Sequence, residues 1–299
     1  MALLYAPIEP AFAEAAAFTD ATLDALLPKL VGPEERLLDA MRYATLGGGK
    51  RLRALLVLQS GRLFGVDRGP LGRVAAAVEC LHAYSLVHDD LPAMDDDDMR
   101  RGKPSLHKAY DEATAILAGD ALLTLAFSWL ASPEAHGDPF VRCELISRLA
   151  AAAGHAGMVG GQMIDLAFEG KKPPLPEITR LQRMKTAALI TFCCEAGAIM
   201  GKVSAGARQA MAAYGQEVGL AFQIVDDLLD LEGSASETGK DVGKDVARGK
   251  ATVVSVMGIE RARSQAEALS QQAIRHLDLF DEKADLLRAA ARFVVTRSA

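Results

Sequence analysis

Apolar positions recur at helical spacing through most of the chain. Residues 1–31 predict a short irregular start and then helical segments, with a break near Pro28. Pro33, after Gly32, suits a first helical position, and Glu34 and Glu35 suit the positive end of a helix dipole. Leu37, Leu38, Met41 and Thr45 then share one face, and Gly47-Gly48-Gly49 ends the element. A further helix opens at Lys50, Arg51 and Arg53 and runs to about Leu63. A long one follows from about Leu71 toward Pro92. The pattern resumes between about Ser105 and Leu130, where Asp120 interrupts an apolar run, and 132–139 is a loop. The next helix includes 154–166, whose glycines Gly154, Gly157, Gly160 and Gly161 are costly in a helix interior and predict tight packing against a neighbour. KKPPLPE (171–177) is a firm break. A helix holding Arg183, Met184, Lys185 and Thr186 follows, then one that covers 214–233, and the last ~40 residues are amphipathic and helical.

Composition agrees. Half of the 299 residues are apolar and only 5% aromatic, which suits helices and offers little to sheets. The length allows one large domain or two small ones, no composition shift marks a boundary, and the only repeats are two short DD clusters. A net charge of −6 argues against a nucleic-acid partner. Cys80, Cys143, Cys193 and Cys194 have neither disulfide-framework nor zinc spacing, which fits a reducing cytoplasm. No apolar run is read as reaching the ~18 residues of a membrane span, and the start lacks the basic region of a signal peptide, so no membrane insertion is expected.

Chemistry concentrates in HDDLPAMDDDDMRRGK (88–103). Asp89, Asp90, Asp95, Asp96, Asp97 and Asp98 are closed by Arg100, Arg101 and Lys103. The apolar helix upstream drives the first aspartates toward packed protein, where unpaired carboxylates cost several kcal/mol each. Oxygen ligands without nearby cysteine favour Mg²⁺, and adjoining cations fit a grip on phosphates. His82, Ser85 and Asp89 share a helix face. Six positions apart, Asp89 and Asp95 would point to opposite sides of a regular helix, so Pro92 is expected to bend the chain and let them converge. The glycine turn before Lys50, Arg51 and Arg53 offers backbone N–H groups among three cations, a diphosphate cradle in form. Gln162 and Asp165, one turn apart, can face one cavity. In the later cluster Gln223, Asp226, Asp227 and Asp230 form a stripe on an otherwise apolar helix, an internal element lining a polar space. The glycine- and lysine-rich segment after it, with Lys240, Lys244, Arg248 and Lys250, suits a lid over phosphate.

Taken together, GGGKRLR (47–53), ECLHAYSLVHDDLPAMDDDDMRRGKPS (79–105), GGQMIDL (160–166), MKTAAL (184–189), FQIVDDLLD (222–230) and GKDVGKDVARGKAT (239–252) resemble the trans-prenyl diphosphate synthases, bacterial farnesyl diphosphate synthases most of all. The resemblance implies an all-α fold in a single domain, 1–299, an isoprenoid-synthase-type helical bundle around a central apolar cavity with two facing aspartate motifs, usually a homodimer. It implies that Asp89, Asp95 and Asp226 hold Mg²⁺ on an allylic diphosphate, with Asp90 and Asp230 beside them and Asp227 behind. Arg100, Lys185, Lys240 and Lys250 then look like the grip on that diphosphate, and Lys50, Arg53, His82 and Arg101 like the pocket for isopentenyl diphosphate. Thr186 and Gln223 resemble the polar groups along the carbocation. Tyr84, five residues before Asp89, resembles the aromatic floor that stops the product at C15; a C20 synthase shares every other motif. Two departures stand out. Ala54 replaces a proline common in relatives, and the tail ARFVVTRSA matches weakly, which leaves Arg297 without a role.

Overall fold

The computed structural model describes residues 7–29, 32–232 and 252–297. Its elements are α1 (Ile8–Leu26), α2 (Glu35–Thr45), α3 (Leu52–Leu63), α4 (Arg68–Asp89), a hairpin of β1 (Met99–Arg100) and β2 (Lys103–Pro104), α5 (Leu106–Ala109), α6 (Glu112–Ala131), α7 (Pro139–Ala153), α8 (Met158–Phe168) and α9 (Leu175–Gln182). A π-turn (Arg183–Ala187) leads into α10 (Ala188–Met200), followed by α11 (Ala205–Glu232), α12 (Val253–Met257), α13 (Ile259–His276), a 3₁₀ turn (Glu282–Ala284) and α14 (Asp285–Thr296). Among the described residues the fold is thus all-α apart from one antiparallel two-stranded hairpin.

Two compact units can be distinguished. One comprises Glu9–Leu58 and Asp67–Cys143; the other comprises Met1–Ile8, Gln59–Val66 and Glu144–Ala299. In the first, α4 packs on α6 and α2. From Val74 to Leu81 every α4 residue is buried, mostly alanine and valine with Glu79 the one charged exception, and the small side chains let α6 approach closely. Asp111 caps α6 by accepting from the Thr114 N–H at 2.7 Å. Against the expectation that no apolar run reaches span length, α6 is the one described helix long and apolar enough to cross a bilayer. Here Ala115, Ala118, Leu122, Ala126 and Leu130 are fully buried, as in the core helix of a packed unit.

In the second unit α11 is the hub, packed on α10, α13, α14 and the π-turn. Tyr214, Val218 and Ala221 are fully buried on it, and the Tyr214 hydroxyl donates to the Leu287 carbonyl at 2.6 Å. Each fully buried Leu, Val or Phe side chain contributes about 1.5–3 kcal/mol, which makes this internal helix a firm base for its polar stripe.

Four local expectations need correction. Helix α2 begins at Glu35, so Pro33 lies outside it. Gly154–Gly157 is a break between α7 and α8, not helix interior. The segment 99–104 forms a hairpin that two-residue strands are too short to announce by alternation. Arg183–Ala187 is a π-turn, where one extra residue widens the helix.

Candidate active site

The first aspartate cluster begins where α4 stops. The chain does not bend as a continuous helix at Pro92; it ends at Asp89 and doubles back. The Met94 N–H donates to the Leu91 carbonyl at 2.8 Å, the Asp97 N–H to Asp90 at 3.2 Å, and the Asp95 N–H to the Asp89 carbonyl at 2.8 Å. That last bond brings the Asp95 backbone against the end of α4 through a turn. Asp95 is buried and Asp89 half-buried. Both are oxygen donors on a rigid helix end, a set that fits a hard cation such as Mg²⁺.

Asp90 departs from its expected place among the metal ligands. Its side chain is buried, and the Arg100 Nε donates to its two oxygens at 3.0 and 3.1 Å, with a second donor from Nη2. Burial raises the Asp90 carboxyl above its ordinary range and Arg100 opposes that rise. Asp90 therefore serves as an anchor for Arg100, which also lies 3.6 Å from Asp97. The guanidinium expected to grip the allylic diphosphate is thus held by two carboxylates.

The glycine turn assembles the other cationic set. Gly49 has φ +118°, a conformation open chiefly to glycine, and the Arg101 guanidinium lies against it while Nη1 donates to the Gly48 carbonyl at 2.6 Å. Arg53 Nη1 is 3.2 Å from His82 Nε2. Burial first, then the charges of Arg53, Arg101, Arg100 and Arg51, pushes the His82 imidazole well below its usual range, so the ring is neutral. Arg53 with His82, and Arg101 on the turn that leads into exposed Lys50, are therefore grouped in one region.

Arg51 does not join them. It turns inward at φ +52°, almost fully buried, 2.7 Å from Asp20 and 3.0 Å from the buried Glu79, and donates to the Thr45 carbonyl. The three-cation cradle is a two-cation cradle with a buried brace behind it. Glu79 also accepts from the Ala54 N–H at 3.0 Å, a bond that proline at this position could not donate.

In the second unit the π-turn presents Lys185 and Thr186. Lys185 Nζ is 2.6 Å from Asp165 on α8. Thr186 Oγ1 donates to Gln223 Oε1, Gln223 Nε2 to Asp227 Oδ1 at 2.9 Å, and Gln182 Nε2 to Asp227 Oδ2 at 3.0 Å. Asp227 is thus buried and amide-bonded, behind the half-buried Asp226 and Asp230. Gly161 and Gly219 let α8 and α11 reach the π-turn backbone. A Cβ on Gly161 would lie 2.3 Å from Lys185 N, and one on Gly219 2.5 Å from Ala187 Cα. Close packing is the reason for Gly161, as expected.

Two participants were not legible. Gln182 sits a turn before Lys185 among several other polar residues, with nothing in the spacing to single it out. Arg297 pairs with Asp226, stacks over Phe222 at 4.1 Å and donates to the Phe222 carbonyl at 3.3 Å. Lys240, Lys244, Arg248 and Lys250 lie outside the described residues. Tyr84 meets His88 edge-on, ring centroids 5.0 Å apart.

An all-α chain bearing two aspartate clusters of this kind has the isoprenoid-synthase fold. The chain belongs to the polyprenyl synthetase family, whose model matches residues 34–290. It is 46% identical to the farnesyl diphosphate synthase of Escherichia coli (strain K12) over 269 residues, covering 88% of this chain and 89% of the relative. Among solved structures it is similar to the apo FPP/GFPP synthase of Zymomonas mobilis, with TM-score 0.89, 50% identity, and 97% and 99% of the two chains covered. It is also similar to a Helicobacter pylori geranyltransferase complexed with magnesium and isoprenyl diphosphate, with TM-score 0.83, 32% identity and 97% of each chain covered.

Proposed function

We propose that this chain is a Mg²⁺-dependent prenyltransferase that joins isopentenyl diphosphate head-to-tail to dimethylallyl and then geranyl diphosphate, releasing farnesyl diphosphate. The observation that carries the proposal is the cationic group around the Gly47–Gly49 turn: Lys50, Arg53, neutral His82 and Arg101 offer a diphosphate site without a carboxylate ligand set. A condensing enzyme needs that second diphosphate site; a one-substrate terpene cyclase does not.

Asp89, Asp95 and Asp226 hold Mg²⁺, with Asp230 adjoining and Asp90 and Asp227 positioning other side chains. Bound Mg²⁺ supplies charge that stabilises the departing diphosphate. Arg100, anchored by Asp90, and Lys185, exchanging Asp165 for phosphate oxygens, add positive charge to the allylic diphosphate, joined by Lys240 and Lys250. Thr186 Oγ1 and the Gln223 amide oxygen present dipoles to the allylic cation. The alkene of isopentenyl diphosphate forms the new C–C bond, and the proton lost goes to the released pyrophosphate. Apolar walls exclude water that would quench the cation. Tyr84 limits growth to C15.

The whole chain, 1–299, acts as one polyprenyl synthase domain, in the cytoplasm and as a homodimer. Free Cys80, Cys143, Cys193 and Cys194 support the compartment, and exposed Ile116 and Leu117 on α6 support the dimer. Incubation with Mg²⁺, isopentenyl diphosphate and dimethylallyl or geranyl diphosphate, followed by product sizing, tests the proposal. A C15 product abolished by chelator is expected. No condensation at all refutes it, and a mainly C20 product makes the chain a geranylgeranyl diphosphate synthase.

A further inference from the structure

Asp96, Asp98 and His107 have no part in the chemistry above, yet the chain brings them together. Asp96 and Asp98 end the aspartate run, the 99–104 hairpin carries the chain away and back, and His107 is the second residue of α5. The Ser105 N–H closes the loop by donating to the Asp98 carbonyl at 2.9 Å. One oxygen from each carboxylate and one ring nitrogen of His107 lie within 4.8 Å of one another.

The imidazole supplies the independent observation. His107 is only 7% exposed, and its Nε2 is sealed from solvent without a hydrogen-bond partner. Nδ1 lies 3.2 Å from Ser105 Oγ. Donation from Nδ1–H to that hydroxyl leaves the lone pair on Nε2, the tautomer of a metal-ligating histidine oriented by an outer partner. One nitrogen of this ring joins the two carboxylate oxygens within 4.8 Å, and the same ring carries a buried nitrogen without a partner, a combination that a cation matches.

We propose that Asp96, Asp98 and His107 bind a divalent transition-metal ion of the Zn²⁺ or Mn²⁺ class, at a site separate from the Mg²⁺ ligands Asp89, Asp95 and Asp226. The donor set decides the class: one imidazole nitrogen with two carboxylate oxygens suits borderline cations, whereas Mg²⁺ favours oxygen alone. Three protein ligands leave a position for water. Bonds of about 2.0–2.1 Å bring tetrahedral ligands to about 3.3 Å from one another, so the two exposed carboxylates close on the ion. Lys108 Nζ, 3.0 Å from Asp98 Oδ1, holds the competing position and is displaced. The bound ion ties 96–98 to α5 and braces the hairpin that carries Arg100 and Arg101. None of this rests on the reaction proposed above.

The test uses the full chain, stripped of metal and kept in millimolar Mg²⁺ to fill the oxygen site. Zn²⁺ is titrated calorimetrically, and Co²⁺ is followed by its visible absorption. One saturable equivalent is expected. His107→Ala and Asp98→Asn should each weaken it roughly ten- to a hundredfold, Lys108→Met should strengthen it severalfold, and Asp89→Asn should leave it unchanged. Asp98 and Lys108 are exposed, so these two variants read the site even if His107→Ala fails to fold. Absence of a saturable equivalent overturns the proposal, as does Zn²⁺ binding that survives Asp98→Asn or is lost with Asp89→Asn.

Discussion

Replacing Arg51 by Met should be far more damaging than replacing its neighbour Lys50, although both belong to one basic run. Arg51 is almost fully buried and its main partner, Glu79, is buried with it at 3.0 Å. The Asp20 contact is half-exposed and contributes little, about 0–1 kcal/mol. The dominant cost in Arg51→Met is a buried Glu79 without its counter-charge, about 3–5 kcal/mol. The left-handed backbone at position 51 persists in the variant, so its strain is not recovered. At roughly 2–4 °C per kcal/mol for large domains, the melting temperature should fall by about 6–20 °C. The compensating variant is Glu79→Gln, which removes the charge and keeps an amide oxygen for the Ala54 N–H. Arg51→Met/Glu79→Gln should then be at least ~2 kcal/mol more stable than Arg51→Met alone. Thermal and urea unfolding of wild type, both single variants and the double variant complete the cycle. A loss under ~1 kcal/mol in Arg51→Met, or a double variant no better than the single, would show that the buried pair is not the brace described.

The remaining expectations concern the site. Asp89→Ala or Asp226→Ala should cost several powers of ten in turnover at saturating Mg²⁺, each tenfold being ~1.4 kcal/mol of barrier; near wild-type rates would remove both from the metal set. Folded Tyr84→Ala should shift product toward C20, after a stability loss of ~3–5 kcal/mol is checked, and an unchanged C15 product would discard Tyr84 as the floor. Gly161→Ala forces a Cβ to 2.3 Å from Lys185 N and should cost about 1–3 kcal/mol or more with impaired turnover; a neutral outcome in unfolding would deny the close approach. His82 has a folded pKa below its ordinary 6.5, so the unfolded chain takes up the proton first as pH falls. Its contribution is therefore complete above about pH 6.5 and declines below it, by up to ~1.4 kcal/mol per pH unit. Stability of wild type should fall more steeply than that of His82→Gln between pH 7.5 and 5.5, and parallel curves would contradict a neutral buried ring.

Helices and breaks were legible because their causes are local: apolar spacing, the glycine run at 47–49, the prolines of 171–177. The carboxylate stripe at 223–230 was legible for the same reason, since one regular helix fixes which residues share a face. Direction of a side chain off a turn is not local. Arg51 and Lys50 are adjacent cations, and only Glu79, twenty-eight residues on, draws one of them inside. Arg100 reads as a phosphate ligand until Asp90 is seen to hold it. The pairing of Arg297 with Asp226 links positions seventy-one apart in sequence, and no periodicity reports that. The π-turn escapes because five residues of ordinary helix formers carry no mark of the extra one.

That extra residue makes the length of 183–187 a constraint in its own right. An α-helix advances about 100° per residue, and the wider turn takes up the extra residue without rotating α10, so deleting one residue here would restore an ordinary helix and re-aim the side chains of the turn itself. Thr186 would swing off Gln223, Lys185 off Asp165, and the backbone that Gly161 and Gly219 were cleared to meet would be replaced by side chains. Conservative substitutions within these five positions leave the aim of Lys185 and Thr186 intact; a single-codon deletion does not. Across 132–138, a surface connection between α6 and α7, the same deletion only shortens a loop. The segment works as a vernier, and its tolerance to indels should be far narrower than its tolerance to substitution.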